Sequence, residues 1–206
     1  MQAITDLIMY FHKGGLVMWP LLACSITVIA IAIERFIYYK SVDSGAAFAS
    51  HYCAAVRSGD FAVATELARK GSGQCAQMLA DVAAIAGGKA EKSAFLESRA
   101  GIFMATLRDK LDYLGIIVTM SPLLGLLGTI VGMIGAFSIF NVEAGAPMAI
   151  TGGIGEALIA TATGLCVAIL SLCAHSYFAH RMDNMITDME QCFSALLEAE
   201  TRRGRS

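Results

Sequence analysis

Three stretches of this chain are almost free of charge, and they constrain it more than any other feature. No charged residue stands between Lys13 and Glu34 or between Asp112 and Glu143, and from Ala144 to Ala174 the only one is Glu156. A helix crossing a bilayer needs roughly 20 apolar residues, and each stretch is long enough. Of the 206 residues only 16% are charged, against about 25% in a soluble domain. The chain therefore reads as an all-α membrane protein with three transmembrane helices and a lipid bilayer as its solvent. Leu21-Leu22-Ala23-Cys24 looks loosely like a lipoprotein cleavage box, but the apolar run continues nine residues past Cys24. That is too long for a signal core of about 7–15 residues, so the first helix is expected to be retained.

Basic residues set the expected orientation. Nine Lys/Arg fall between residues 38 and 112 and four after residue 180, whereas the loop near 141–151 has none and the N-terminus only Lys13. The positive-inside bias places the N-terminus outside and the long loop and tail in the cytoplasm. The expected layout is an interfacial amphipathic helix over 1–13, carried by Ile4, Leu7, Ile8 and Phe11 and ended by Gly14-Gly15. Transmembrane helix 1 follows over 14–37, a helical cytoplasmic region over 38–111 and transmembrane helix 2 over 112–141. A short outer loop spans 142–151, transmembrane helix 3 spans 152–178, and a cytoplasmic helical tail takes 179–206. Within the cytoplasmic region, Gly59-Asp60, Gly71-Ser72-Gly73 and Gly87-Gly88 read as breaks. From Lys89 to Phe140 only Pro122 interrupts, and a proline in a membrane helix kinks it without ending it. Such a helix would extend roughly 75 Å, well into the cytoplasm.

Composition also excludes. The net charge of −2 and the lack of a basic face argue against nucleic acid. Six cysteines show no Cys-x-x-Cys pair and no His/Cys metal spacing, so they read as small buried hydrophobes, with no metal and no cofactor implied. Gly-x-Ser-x-Gly, His-Glu-x-x-His and paired intramembrane acids are all missing, so the chain is not expected to be an enzyme.

Glu156 is the residue that demands a function. A carboxylate mid-span costs about 2.5–3.5 kcal/mol on insertion scales. At 100° per residue, Gly152 and Ala160 lie within about 40° of it and Thr163 within about 20°. It therefore sits on a small-residue face and points at another helix or a narrow cavity. In the second span Gly128, Gly132 and Ala136 recur every four residues behind Pro122 and Gly125, a small-xxx-small stripe that lets helices approach closely. Thr129, Thr161 and Thr163 supply neutral hydroxyls at similar depth. Two readings stay open on these residues alone: Glu156 as an interhelical hydrogen-bonding group, or as part of an ion or proton pathway.

At these residues the chain resembles the MotA/TolQ/ExbB proton-channel family, and within it ExbB and TolQ. The matching motifs are Ser121-Pro122-Leu-Leu-Gly125-Leu-Leu-Gly128-Thr129-Ile-Val-Gly132 and Gly155-Glu156-Ala-Leu-Ile-Ala160-Thr161-Ala-Thr163-Gly164-Leu165, with Glu34-Arg35 at the inner end of the first span. The resemblance implies a homo-oligomer, pentameric in the family, in the bacterial inner membrane, with a periplasmic N-terminus and a cytoplasmic C-terminus. It also implies a dimer of an ExbD- or TolR-like single-span subunit and, beyond it, a TonB- or TolA-like protein. Glu156, Thr129 and Thr161 match the family's polar positions. Thr163 stands where an aliphatic residue is usual, and Leu170 where proline is. By angle Thr161 lies about 140° from Glu156, so resemblance and geometry nominate different threonines.

The sequence itself indicates that such a path is incomplete. No second intramembrane acid accompanies Glu156, and His175 lies roughly 28 Å away along the helix. A carboxylate from another chain is therefore expected. The competing class is a non-conducting membrane scaffold. A flagellar stator is disfavoured because that branch has four spans.

Overall fold

A computed structural model describes residues 9, 11, 13–85, 87–142 and 147–203. Among the described residues the helices run in the order α1 Met18–Val42, α2 Ala46–Arg57, α3 Phe61–Lys70, α4 Gln74–Ala83, α5 Lys89–Val142 and α6 Pro147–Arg203. Among the described residues there is no strand. Three helices, α1, α5 and α6, are long and apolar enough to cross a membrane, and the chain is a multi-pass membrane protein. Most of the expected helix over 1–13 and the middle of the 142–151 loop lie outside the described residues.

By contacts the chain divides into two compact units, one of residues 1–33 and 111–176 and one of residues 34–110 and 177–206. The first is the membrane unit. Pro20 falls in the first turn of α1, where a missing N–H costs nothing. Pro122 falls inside the 54-residue α5, which continues through it; the proline leaves the carbonyl of Val118 without its usual intrahelical donor. Lipid is as apolar as leucine, so spans associate through close packing of small residues instead of the hydrophobic effect. The α5–α6 seam is built that way. A Cβ on Gly128 would come 2.5 Å from that of Ala160, and one on Gly164 would come 2.6 Å from the carbonyl oxygen of Ser121. Away from the seam, Leu123, Leu126, Ile130, Ile134, Leu158, Leu165 and Ile169 are exposed. An apolar surface this continuous marks a membrane or subunit face.

The second unit is held by ordinary aqueous physics. Leu79, Val82, Leu96, Leu107, Met189 and Cys192 are almost wholly buried there. Each large apolar side chain so buried is worth about 1.5–3 kcal/mol. Gly59, at φ 81°, turns the chain between α2 and α3, and Asp60 caps α3 by accepting from the Val63 N–H at 3.1 Å. Gly73, at φ 89°, starts α4. Consecutive helices α2, α3 and α4 pack side by side.

At the base of α1, Arg35 is buried (3% exposed). Its guanidinium donates to Glu34 at 2.8 Å and to the carbonyls of Thr106 and Leu107 at 3.0 and 3.5 Å. The Tyr39 hydroxyl donates to the same Leu107 carbonyl at 2.9 Å, using its second lone pair. Lys110 reaches Glu34 at 3.0 Å. One buried charge is thus fully paired, which is the condition for burying it at all. The thiols of Cys53 on α2 and Cys192 on α6 lie 3.9 Å apart in the same core.

Candidate functional site

α6 presents two faces inside the membrane unit. One carries Gly153, Ala157, Ala160, Thr161 and Gly164 and is pressed against α5. Gly153 meets Ala136 and the Gly132 carbonyl, Ala157 lies by Gly132, Ala160 lies by Gly128, and Thr161 and Ala160 lie against Gly125. The other carries Glu156 and Ile159, which face Gly15 and Gly14. On the α1 side, Val167, Leu170 and Ala174 line a groove of about 240 Å³ with Ser25, Val28, Ile29, Ala32 and Ile33. α6 runs helically through Leu170.

The position of Gly152 differs from the expected one. Among the described residues no atom from outside its own turn of helix lies within 4 Å of where its Cβ would stand, and Gly153 occupies the seam in its place. Ala160 packs on Gly128, so it does not share a contact surface with Glu156. The expectation anchored the phase of the helix on Glu156, whereas the close-packed face follows the 153/157/160/164 series of small residues, whose spacing of four and three was the available signal. Gly125, Gly128 and Gly132 are all buried in the seam, and Pro122 is half-buried beside it.

Glu156 is half-buried, and among the described residues it makes no hydrogen bond or ion pair. Its contact is with the backbone of Gly15, just before α1, where no Cβ stands in its way. The nearby residues Val17, Met18 and Leu21 form a small buried core with Leu124 and Ile159.

The three threonines donate to backbone carbonyls. Thr129 donates to Leu126 at 2.6 Å, and Thr163 to Ile159 at 2.8 Å. Thr161 is shared between Ala157 of its own helix and Gly125 of α5, both at 3.2 Å. Thr161 therefore ties the two helices together, and Thr163 caps a carbonyl on its own helix. The structure does not join any of these hydroxyls to Glu156 by a hydrogen bond. It does bring Thr129 and Thr161 near one level, since Thr129 follows Gly128, which meets Ala160, and that level is about 7.5 Å along α6 from Glu156.

Two serines extend this polar line and were not singled out from the sequence. Ser171 is buried and donates to the Leu114 carbonyl at 2.9 Å. Ser121, fully buried before Pro122, has a hydroxyl with no partner among the described residues. Only packing shows that either lies inside. Among the described residues no group of three or more His, Cys, Asp or Glu is placed to hold a metal.

Known proteins share this arrangement of sequence. Residues 72–191 match the MotA/TolQ/ExbB proton channel family, a range that includes Thr129, Glu156, Thr161 and Thr163. A protein of Synechocystis named as a biopolymer transport protein, ExbB-like 3, is 31% identical over 77% of this chain and 78% of its own length. The biopolymer transport protein exbB1 of Vibrio cholerae is 28% identical over 85% of this chain and 80% of its own. The Tol-Pal system protein TolQ of Pseudomonas aeruginosa is 36% identical over a shorter stretch, 39% of this chain and 35% of its own. The chain belongs to the MotA/TolQ/ExbB proton channel family, a group of membrane transport proteins that are not enzymes.

Proposed function

We propose that this chain is the proton-channel subunit of an ExbB/ExbD-type motor in a bacterial inner membrane. It would use the proton motive force to energise TonB-dependent transport across the outer membrane. The observation that supports this reading best is the state of Glu156: a single carboxyl in a span of apolar and small residues, half-buried, with no partner among the described residues. A structural carboxylate in such a place would be hydrogen-bonded or paired. One left free is available to exchange a proton with a group on another chain. Thr129 and Thr161, near one level, are the neutral stations of the path, and Thr163 adds a hydroxyl on the Glu156 side of α6.

In this reading the other group belongs to a dimer of ExbD- or TolR-like single-span subunits inside a ring of this chain, pentameric by family resemblance. The exposed apolar faces of α5 and α6 are the surfaces available for ring and partner contacts. Each proton crossing the membrane potential supplies about 2.3 kcal/mol per 100 mV. The ring would pass that energy to a TonB- or TolA-like protein as motion. The N-terminus would lie in the periplasm and the C-terminus in the cytoplasm, as the lysine and arginine distribution supports.

The ExbB role is favoured over TolQ because two ExbB-named relatives match 77% and 85% of the chain, although a third matches 42%, and a TolQ relative matches 39%. Deleting the gene separates the two. Loss of uptake of iron complexes with an intact envelope is the result expected; detergent sensitivity and chaining with normal uptake would assign the chain to the Tol-Pal role. Proton-driven activity kept in charge-neutral Glu156 variants would support a non-conducting scaffold.

A further inference from the structure

The turn that leads into α1 closes on Glu156, the one charged residue between Ala144 and Ala174. A Cβ built on Gly15 would collide with Oε1 of Glu156 and would stand 2.8 Å from its Cδ and 3.3 Å from its Cγ. Side-chain Cβ atoms essentially never come within 3.0 Å of another heavy atom. Gly15 also has φ 72°, a left-handed conformation that disfavours other residues. The adjacent glycine has different nearest neighbours: a Cβ on Gly14 would meet the Met18 side chain at 2.6 Å and Ile159 at 3.2 Å. The small core of Val17, Met18 and Leu21 with Leu124 and Ile159 anchors this turn to the other two helices. The wall is therefore held in place from behind.

We propose that Gly15 is a positioning residue for Glu156: its bare Cα is the surface against which the carboxylate rests, and this fixes where in the membrane the proton-bearing group sits. The inference rests on the proton-carrying role of Glu156 proposed above. It gives the Gly14-Gly15 pair a task beyond ending a helix. Any side chain at Gly15 drives the carboxylate off its resting place, and a displacement of about 1 Å in a reacting group costs on the order of 10²-fold in a well-positioned site.

The test is a double-mutant cycle in the full chain, in membranes that also contain the proposed single-span partner. Gly15→Ala and Gly15→Asn are expected to lower proton flux about tenfold or more; asparagine tolerates positive φ, so its loss reports the collision and not backbone strain. Glu156→Asp withdraws the carboxyl by about 1.5 Å, one carbon–carbon bond. The pair Gly15→Ala with Glu156→Asp is therefore expected to be more active than Gly15→Ala alone. Losses that simply multiply would overturn the proposal. If Glu156→Asp alone abolishes flux, labelling of Glu156 by a membrane-permeant carbodiimide decides. A rate changed at least threefold by Gly15→Ala supports the contact, and an unchanged rate overturns it. If Gly15→Ala prevents folding, recovery of folded oligomer with Glu156→Asp supports the contact and failure to recover it overturns it. Flux retained in Glu156→Gln would instead sink the proton-carrying role, while labelling and folding still report on Gly15.

Discussion

Gly153 has the Cβ of Ala136 and the carbonyl of Gly132 where its own Cβ would stand, at 2.5 and 2.7 Å, whereas around Gly152 no other element among the described residues fills that space. The two adjacent glycines should therefore respond differently to one methyl group. Gly153→Ala overpacks the α5–α6 seam and is expected to cost about 1–3 kcal/mol. Gly152→Ala is expected to be neutral or to stabilise by up to about 1 kcal/mol through helix propensity. Thermal unfolding of the detergent-solubilised protein, followed by circular dichroism, checks both. The contrast also shows how far a residue pattern carries. The stripe at Gly128, Gly132 and Ala136 is written in the spacing, and the structure buries all three. Which glycine of α6 meets it depends on the rotation of that helix about its own axis, and one residue of error turns a face by 100°. The contact of Glu156 with Gly15 was out of reach for a stronger reason, since 141 positions separate them in the sequence and no local period links them.

Between elements, Arg35 does what no capping or propensity rule expresses. It joins α1 to the carbonyls of Thr106 and Leu107 on α5 while its own charge is paired with Glu34. Arg35→Ala leaves those carbonyls with one donor fewer and removes the packing of a buried stem. A loss of about 2–4 kcal/mol is expected, seen as a lower unfolding midpoint. Arg35→Lys should recover only part of it, because an ammonium does not reproduce the planar fork. An unchanged midpoint in both variants would show that this junction contributes nothing. The pair Glu34-Arg35 is visible in the sequence, but its partners on α5 are about seventy residues away. By contrast the turn between α2 and α3 was legible, because Gly59 and Asp60 carry its chemistry locally. The cysteines fall between these cases. Cys53 and Cys192 are buried against each other, while Cys75 is partly open. A water-soluble maleimide should therefore modify Cys75 well before the other two in the folded protein, and all three at similar rates after denaturation. Early labelling of Cys53 or Cys192 would contradict the packing of α2 on α6.

For the molecule as a whole, an all-helical chain with three long apolar helices was readable from hydropathy, because bilayer thickness sets the length of each run. Small-residue seams explain how such helices hold together without water to drive them. Among the described residues no second intramembrane acid stands beside Glu156, and in the function proposed above a group on another subunit exchanges protons with it. Central to the proposed function is that Glu156 carries protons across the membrane. Its most direct test is proton flux into vesicles containing the chain together with the proposed single-span partner, compared between the native protein and the Glu156→Gln and Glu156→Ala variants at equal amounts of intact oligomer. Both substitutions are expected to reduce flux to background. Flux equal to the native protein's in either variant would contradict the account.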